Sequence, residues 1–223
     1  MKKARQISSI TNYMYDIGIA LILIFLFPNN GEGQSKDGFY IGVGLTHSSI
    51  GGDFDGVSFV AGGGTVEAMP EIEDAFGIKY IVGFQSYIGA IDFNYNRSEH
   101  DGNWEGLEMS TVFETYNLDL KGLLLRDYYS ARPFLAIGFG INRLTVEDGS
   151  TDGFFVADAT FEGYALRIGG GVELSLHDQV SIDVMGLYRW DRYDKVEGLV
   201  EGDLPDNIDS HGATYSAEVK FIF

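Results

Sequence analysis

Eleven charged side chains recur at alternate positions along the chain, and their spacing limits the chemistry they can do. Lys79, Lys121, Arg167, Arg189 and Lys220 supply the bases; Asp92, Asp119, Glu173, Asp183, Asp191 and Glu218 supply the acids. Most are flanked on both sides by apolar or aromatic residues, so a backbone of period two gathers them on one face. Five bases against six acids suit mutual ion pairing better than capture of a ligand of one sign. Near-neutrality is also required of ions in a dry interior, where each unpaired one costs several kcal/mol. The four histidines, His47, His100, His177 and His211, fall at segment ends or in connections. No HExxH spacing appears, so neither a metal site nor a metal-dependent hydrolase is expected. There is no cysteine, which excludes disulfides, thiolate nucleophiles and Cys-ligated metals together. Gly51-Gly-Asp-Phe-Asp55 could collect Ca²⁺ or Mg²⁺ through its carboxylates, but it lacks the tighter Asp spacing of an ordered site and reads as solvated charge. The glycine clusters at 62–64 and 169–171 are not phosphate loops, because no helix follows them. No cofactor is expected.

The elements that position these residues are strands. The 223 residues carry 30 Gly and 29 Phe+Tyr against four Pro, a β-rich bias. With 33 Asp+Glu against 15 Lys+Arg the formal charge is −18, which excludes a nucleic-acid binder. Mean hydropathy is −0.01, and no run reaches the ~18 apolar residues of a spanning helix. Lys2, Lys3 and Arg5 precede the short apolar run from Ile17 to Pro28, and Gly31 and Gly33 fit a cleavage site before Gln34. Residues 1–33 are therefore expected to be a secretory signal peptide, with an uncleaved amphipathic anchor as the alternative.

From Phe39 onward period-2 hydrophobicity repeats eight times with no sustained helical period. Typical faces are Phe39, Ile41, Val43 and Leu45 in the first segment, Phe76 to Phe84 in the second, and Leu135 to Ile141 in the fifth. Short connections are expected around Gln85-Ser86, across Arg126–Arg132 and around His177-Asp178-Gln179. The long ones, roughly 51–74, 98–109, 146–162 and 193–210, hold 21 of the acids and a single base, Lys195. Alternation of short turns and long loops is the layout of a bacterial outer-membrane barrel, with the long acidic loops at the cell surface. A soluble barrel would point the apolar face inward, but eight strands leave too little room for so many aromatics. The expected fold is therefore all-β: an eight-stranded antiparallel up-and-down transmembrane β-barrel over residues 34–223. Its charges line the lumen, and Tyr87, Tyr95, Tyr116, Tyr164, Tyr188, Trp190 and Tyr215 form girdles outside.

Three stretches carry a family resemblance. The terminal segment, with Tyr215, Ala217, Val219, Phe221 and Phe223 on one face, looks like the signal by which outer-membrane barrels are recognised by their assembly machinery. Pro133 to Asn142 is similar to the fifth strand of OmpA-like membrane domains, and Gly83 to Asn96 to their second hairpin. The sequence resembles the OmpA/OmpX-like superfamily over residues 38–223. That resemblance implies export through the periplasm, insertion by the barrel-assembly machinery and residence in a Gram-negative outer membrane. Contact with outer-membrane lipid and lipopolysaccharide follows from it, and a monomer is expected. Nothing follows Phe223, so the peptidoglycan-binding domain of full OmpA proteins is not expected. Some small barrels of this kind deacylate lipid A with a lipid-facing His and Ser. His47 and Ser49 share a face here, but Ile50 stands where Asn follows that Ser, and the first strand is the wrong place. The expected function is non-enzymatic, structural or surface-interacting through acidic loops, with a charge-plugged lumen. A narrow porin-like channel and a lipid A-modifying enzyme are the alternatives; a soluble ligand carrier is a more distant one.

Overall fold

The computed structural model describes residues 37–56, 58–60, 66–104, 107–124, 131–147, 159–198 and 208–223. The expected signal peptide, 1–33, and most of the connection at 126–132 lie outside them. The strands are β1 (Gly38–Ser48), β2 (Gly51–Gly52), β3 (Ser58–Val60), β4 (Val66–Ala68), β5 (Glu71–Ile72), β6 (Ala75–Ser86), β7 (Gly89–Trp104), β8 (Leu107–Leu123), β9 (Ala131–Glu147), β10 (Ala159–His177), β11 (Val180–Glu197) and β12 (Ile208–Ile222). Eight of them, β1 and β6 to β12, pair antiparallel in chain order, and β12 returns to β1 to close the ring. Closure runs from Tyr40↔Ile222 to Ser48↔Thr214. Every barrel strand is therefore paired on both sides, and no backbone edge is left open to lipid.

The pleat sorts the side chains as their alternation requires. Phe39, Phe76 and Phe223 are each more than two-thirds exposed. Ile91, Phe93, Leu118, Leu120, Ile137, Phe139, Leu166, Ile168 and Val184 point outward with them. The charged set points inward and is buried. In water so broad an apolar exterior would be a liability; in a bilayer it is the solvated face.

The strands run further at the long-loop end than hydrophobic alternation indicates. Residues 98–109, expected as a connection, are mostly strand: β7 continues to Trp104, and β8 starts at Leu107, paired with it. The stretch was hard to read because Ser98 and His100 alternate with Glu99 and Asp101, so both faces are polar. The hairpin between β6 and β7 turns at Tyr87-Ile88, slightly beyond Gln85-Ser86. Described parts of 51–74 fold back onto the barrel: β2 pairs with β12 at Ser210↔Gly52, and β5 pairs with β7 at Ile72↔Gly102.

Candidate functional site

The site is the lumen, and it has two storeys. Low in the barrel, Lys79, Lys121, Lys220 and Arg132 interleave with Asp92, Glu173, Asp183 and Glu218. Lys79 meets Glu218 at 2.5 Å. Lys121 lies 2.7 Å from Asp92 and 2.8 Å from Asp183, and 3.7 Å from Glu218. Lys220 lies 3.0 Å from Asp183 and 2.6 Å from Glu173, which also pairs with Arg132. Eight charges thus form one connected network. Gln85 donates to Glu173 and accepts from Lys220. Lys121 and Lys220 also lie over the Phe134 and Tyr40 rings.

Two further pairs stand above it. Arg167 pairs with Asp119, which accepts a 2.8 Å hydrogen bond from Asn94. Arg189 pairs with Asp191 at 2.6 Å, and Asn142 donates to the same carboxylate. Space for these side chains comes from facing glycines. A Cβ on Gly138 would overlap Asp119 Oδ1, and one on Gly44 would sit 2.8 Å from Glu218 Cγ. Substitution at either position would push an ion out of place.

All eleven charges singled out from the sequence face the lumen. Arg132 was missed, because it stands beside Pro133 at a segment end with no alternation before it. With it the described lumen holds six bases and six acids, a balanced set. Among the described residues no group of three or more His, Asp and Glu gathers as a metal site. The carboxylates converge on ammonium and guanidinium groups instead.

The upper storey is apolar. Ile50, Phe54, Met69, Ile72, Met109, Phe113, Leu144, Val146, Ala159, Phe161, Tyr193 and Ile208 form one buried cluster. Phe54 comes from the fold-back segment and meets Phe161 and Tyr193 edge-on at 5.3 and 5.4 Å. At the junction between storeys Arg189 lies over the Phe113 ring. His100, read from sequence as a segment-end residue, is buried inside β7. Its Nε2 is 2.7 Å from Ser98 Oγ and 3.4 Å from Ser48 Oγ, and its Nδ1 is 2.7 Å from the Glu73 carbonyl. Burial pushes its pKa down to about 4. His47 and Ser49 are not brought together: His47 packs on Phe76, while Ser49 Oγ accepts a 2.9 Å hydrogen bond from the Ala213 amide.

On the outside of β12, Tyr215 and Phe223 are exposed. Ala217, Val219 and Phe221 share their face, as the terminal alternation requires.

An apolar exterior around a lumen of paired ions, closed without an edge, defines an integral membrane β-barrel. Residues 17–221 match the family model for the outer membrane protein beta-barrel domain, and the chain belongs to that family, whose place is the cell outer membrane. Solved structures agree on the fold. Neisserial surface protein A is similar at 16% identity and a TM-score of 0.55, covering 83% of this chain and 97% of that one. OprG of Pseudomonas aeruginosa is similar at 12% identity and a TM-score of 0.54, covering 86% and 99%. The outer membrane protein AlkL is similar at 17% identity and a TM-score of 0.52, covering 88% and 95%. No curated protein sequence matches significantly.

Proposed function

We propose that the protein is a non-enzymatic, non-conducting barrel that serves as a structural element of the outer membrane and presents acidic loops for surface interactions. The observation that carries this reading is the filled lumen: twelve buried charges in partnership beneath a buried apolar layer. An ion crossing it would have to displace an ammonium from its carboxylates and then pass the buried apolar cluster, which cannot replace its hydration shell. Single-channel recording in planar bilayers tests this. No steady conductance above leak is expected, and a sustained cation-selective current would overturn it.

The same reading places lipid and lipopolysaccharide around a monomeric barrel. It makes residues 1–33 an export leader, supported by the basic start and the short apolar run. It makes Tyr215, Ala217, Val219, Phe221 and Phe223 the face read by the barrel-assembly machinery, supported by their outward display on β12. The separation of His47 from Ser49 supports the non-enzymatic part. Lipid A should keep its acyl chains unchanged when the protein is deleted; a deletion that alters them would count against it.

A further inference from the structure

Two stretches that fold back onto the barrel, 49–56 and 69–74, are each held at one foot by an inward side chain. Arg189 Nη2 donates to the Ser49 carbonyl at 3.1 Å, and His100 Nδ1 donates to the Glu73 carbonyl at 2.7 Å. The stretches are also tied to each other and to β7. The Ile72 amide donates to the Phe54 carbonyl at 3.2 Å, and the Glu73 amide to the Asp101 carbonyl at 2.8 Å. The two feet differ in one respect. A guanidinium keeps its protons at any pH a protein meets, whereas an imidazole does not keep one charge state.

The partners of His100 fix its state when neutral. A carbonyl only accepts, so Nδ1 carries the proton and Nε2 accepts from Ser98 Oγ at 2.7 Å. Ser48 Oγ lies 3.4 Å from the same nitrogen, so one buried ring joins β1, β7 and the stretch 69–74. A second proton would sit on Nε2 and turn the Ser98 hydrogen bond around, leaving an enclosed imidazolium. Arg189 from β11 and His47 from β1 oppose that charge, and Asp74 at the end of the stretch favours it. From β8 come only the Phe113 ring, edge-on at 6.2 Å, and Thr111 in register, neither of them charged. Burial is the largest influence of all, and it disfavours the charged ring.

We propose that His100 is an acid-released latch: its second proton frees the stretch 69–74 from the barrel, while Arg189 keeps hold of the Ser49 foot. The imidazolium gains water only if one of its neighbours moves. β1 and β7 are strands of 11 and 16 residues built into the ring, whereas β5 has two. The break therefore falls on β5. Burial of Met69 and Ile72 keeps the stretch closed when the ring is neutral, and release uncovers both side chains and the apolar cluster they belong to. The sign follows from linkage. A ring freed into water protonates near 6.5 and the enclosed one at about 4. Acid therefore favours the open form, and the equilibrium for opening rises about two hundredfold from pH 7 to pH 3.5.

Hydrogen exchange on the full-length protein in lipid vesicles tests this at pH 7 and 3.5, with each rate divided by that of the free peptide at the same pH. A gel mobility that shifts on boiling in SDS confirms the folded barrel in every sample. In wild type the Ile72 and Glu73 amides should lose protection by about two hundredfold at the lower pH, while those of Leu118 and Leu120 keep theirs. His100→Asn places an amide N–H where Nδ1 stands and takes up no proton. Its Ile72 and Glu73 amides should stay protected at both pH values, which separates the latch from carboxylates that titrate in the same range. His100→Gln serves the same purpose if the Asn variant does not fold. Protection of Ile72 and Glu73 that ignores pH in wild type would overturn the latch. So would an equal loss in the His100 variants, or a wild-type loss that spreads equally to Leu118 and Leu120.

Discussion

Arg97, Glu114, Arg143 and Glu162 align across β7 to β10 as a collar; below it the barrel is apolar outside and ionic inside, and above it the outer face turns polar and much of the inner face apolar. Outward positions there are Glu99, Asp101, Asn103, Glu108, Asp194 and Asp209, while inward positions are Phe113, Leu144, Val146, Phe161, Tyr193 and Ile208. The strands do not break at the boundary, and the pleat keeps its period through it. One set of strands is thus a membrane barrel for part of its length and an ordinary water-soluble barrel for the rest. The difference shows that polarity along a strand follows the solvent at each height, whereas backbone pairing ignores it. It also means that the two storeys are stabilised by different forces: paired ions and hydrogen bonds below, burial of apolar area above.

That contrast can be broken from either side. Lys121 answers to three carboxylates at once. Lys121→Met should destabilise the folded barrel by about 5 kcal/mol, because uncompensated buried charge remains. Urea unfolding in lipid vesicles reads this, and a loss below 1 kcal/mol would mean that the ions are not coupled. In the upper storey, Phe161→Ala should cost about 4 kcal/mol through the cavity it leaves against Phe54 and Tyr193. Hydrogen exchange should place that loss above the collar, with the boiling-dependent gel shift retained; exchange that rises equally below it would erase the distinction between storeys. The smallest effect is the pH response of the junction. Burial is the main cause that lowers the His100 pKa from 6.5 to about 4 on folding, against the Glu73 carbonyl bond, with Arg189, Asp74 and His47 acting on it electrostatically. The unfolded chain therefore binds the proton more readily. The stability tied to this lowered pKa is present above pH 6.5 and is lost as the pH falls toward 4, by about 3 kcal/mol at most. Unfolding midpoints at pH 7 and 4.5, compared with those of His100→Gln, isolate it; parallel pH profiles would show that the imidazole does not titrate there.

How legible the molecule is from sequence also divides at the collar. In the lower part Ile91-Asp92-Phe93 or Leu118-Asp119-Leu120 declares strand, face and solvent together, so eight strands and eleven lumen charges could be placed without coordinates. Above it the apolar residues are too widely spaced to reveal a period. Thr111 stands between Met109 and Phe113 on the inner face, and on β7 both faces are polar. Phe54, Met69 and Ile72 come from a segment with no alternation, and the pairings of β2 with β12 and of β5 with β7 go with their place in the core. The alignment of Arg97 with Glu114, and of Arg143 with Glu162, depends on where β7 to β10 pair, which composition does not encode.

The ring closes by joining Tyr40 to Ile222 and its neighbours, residues almost a whole barrel apart in the chain. This is the longest loop the chain has to close, and its entropy must be met before the β1–β12 ladder returns anything. Hairpins such as β6–β7 can form locally, whereas the final seam can form only once β12 is present. Until then both β1 and β12 are open edges in a chain with a wide apolar face, a state prone to aggregation. Closing the seam removes both edges at once, so the finished ring has no partly paired form between open sheet and barrel.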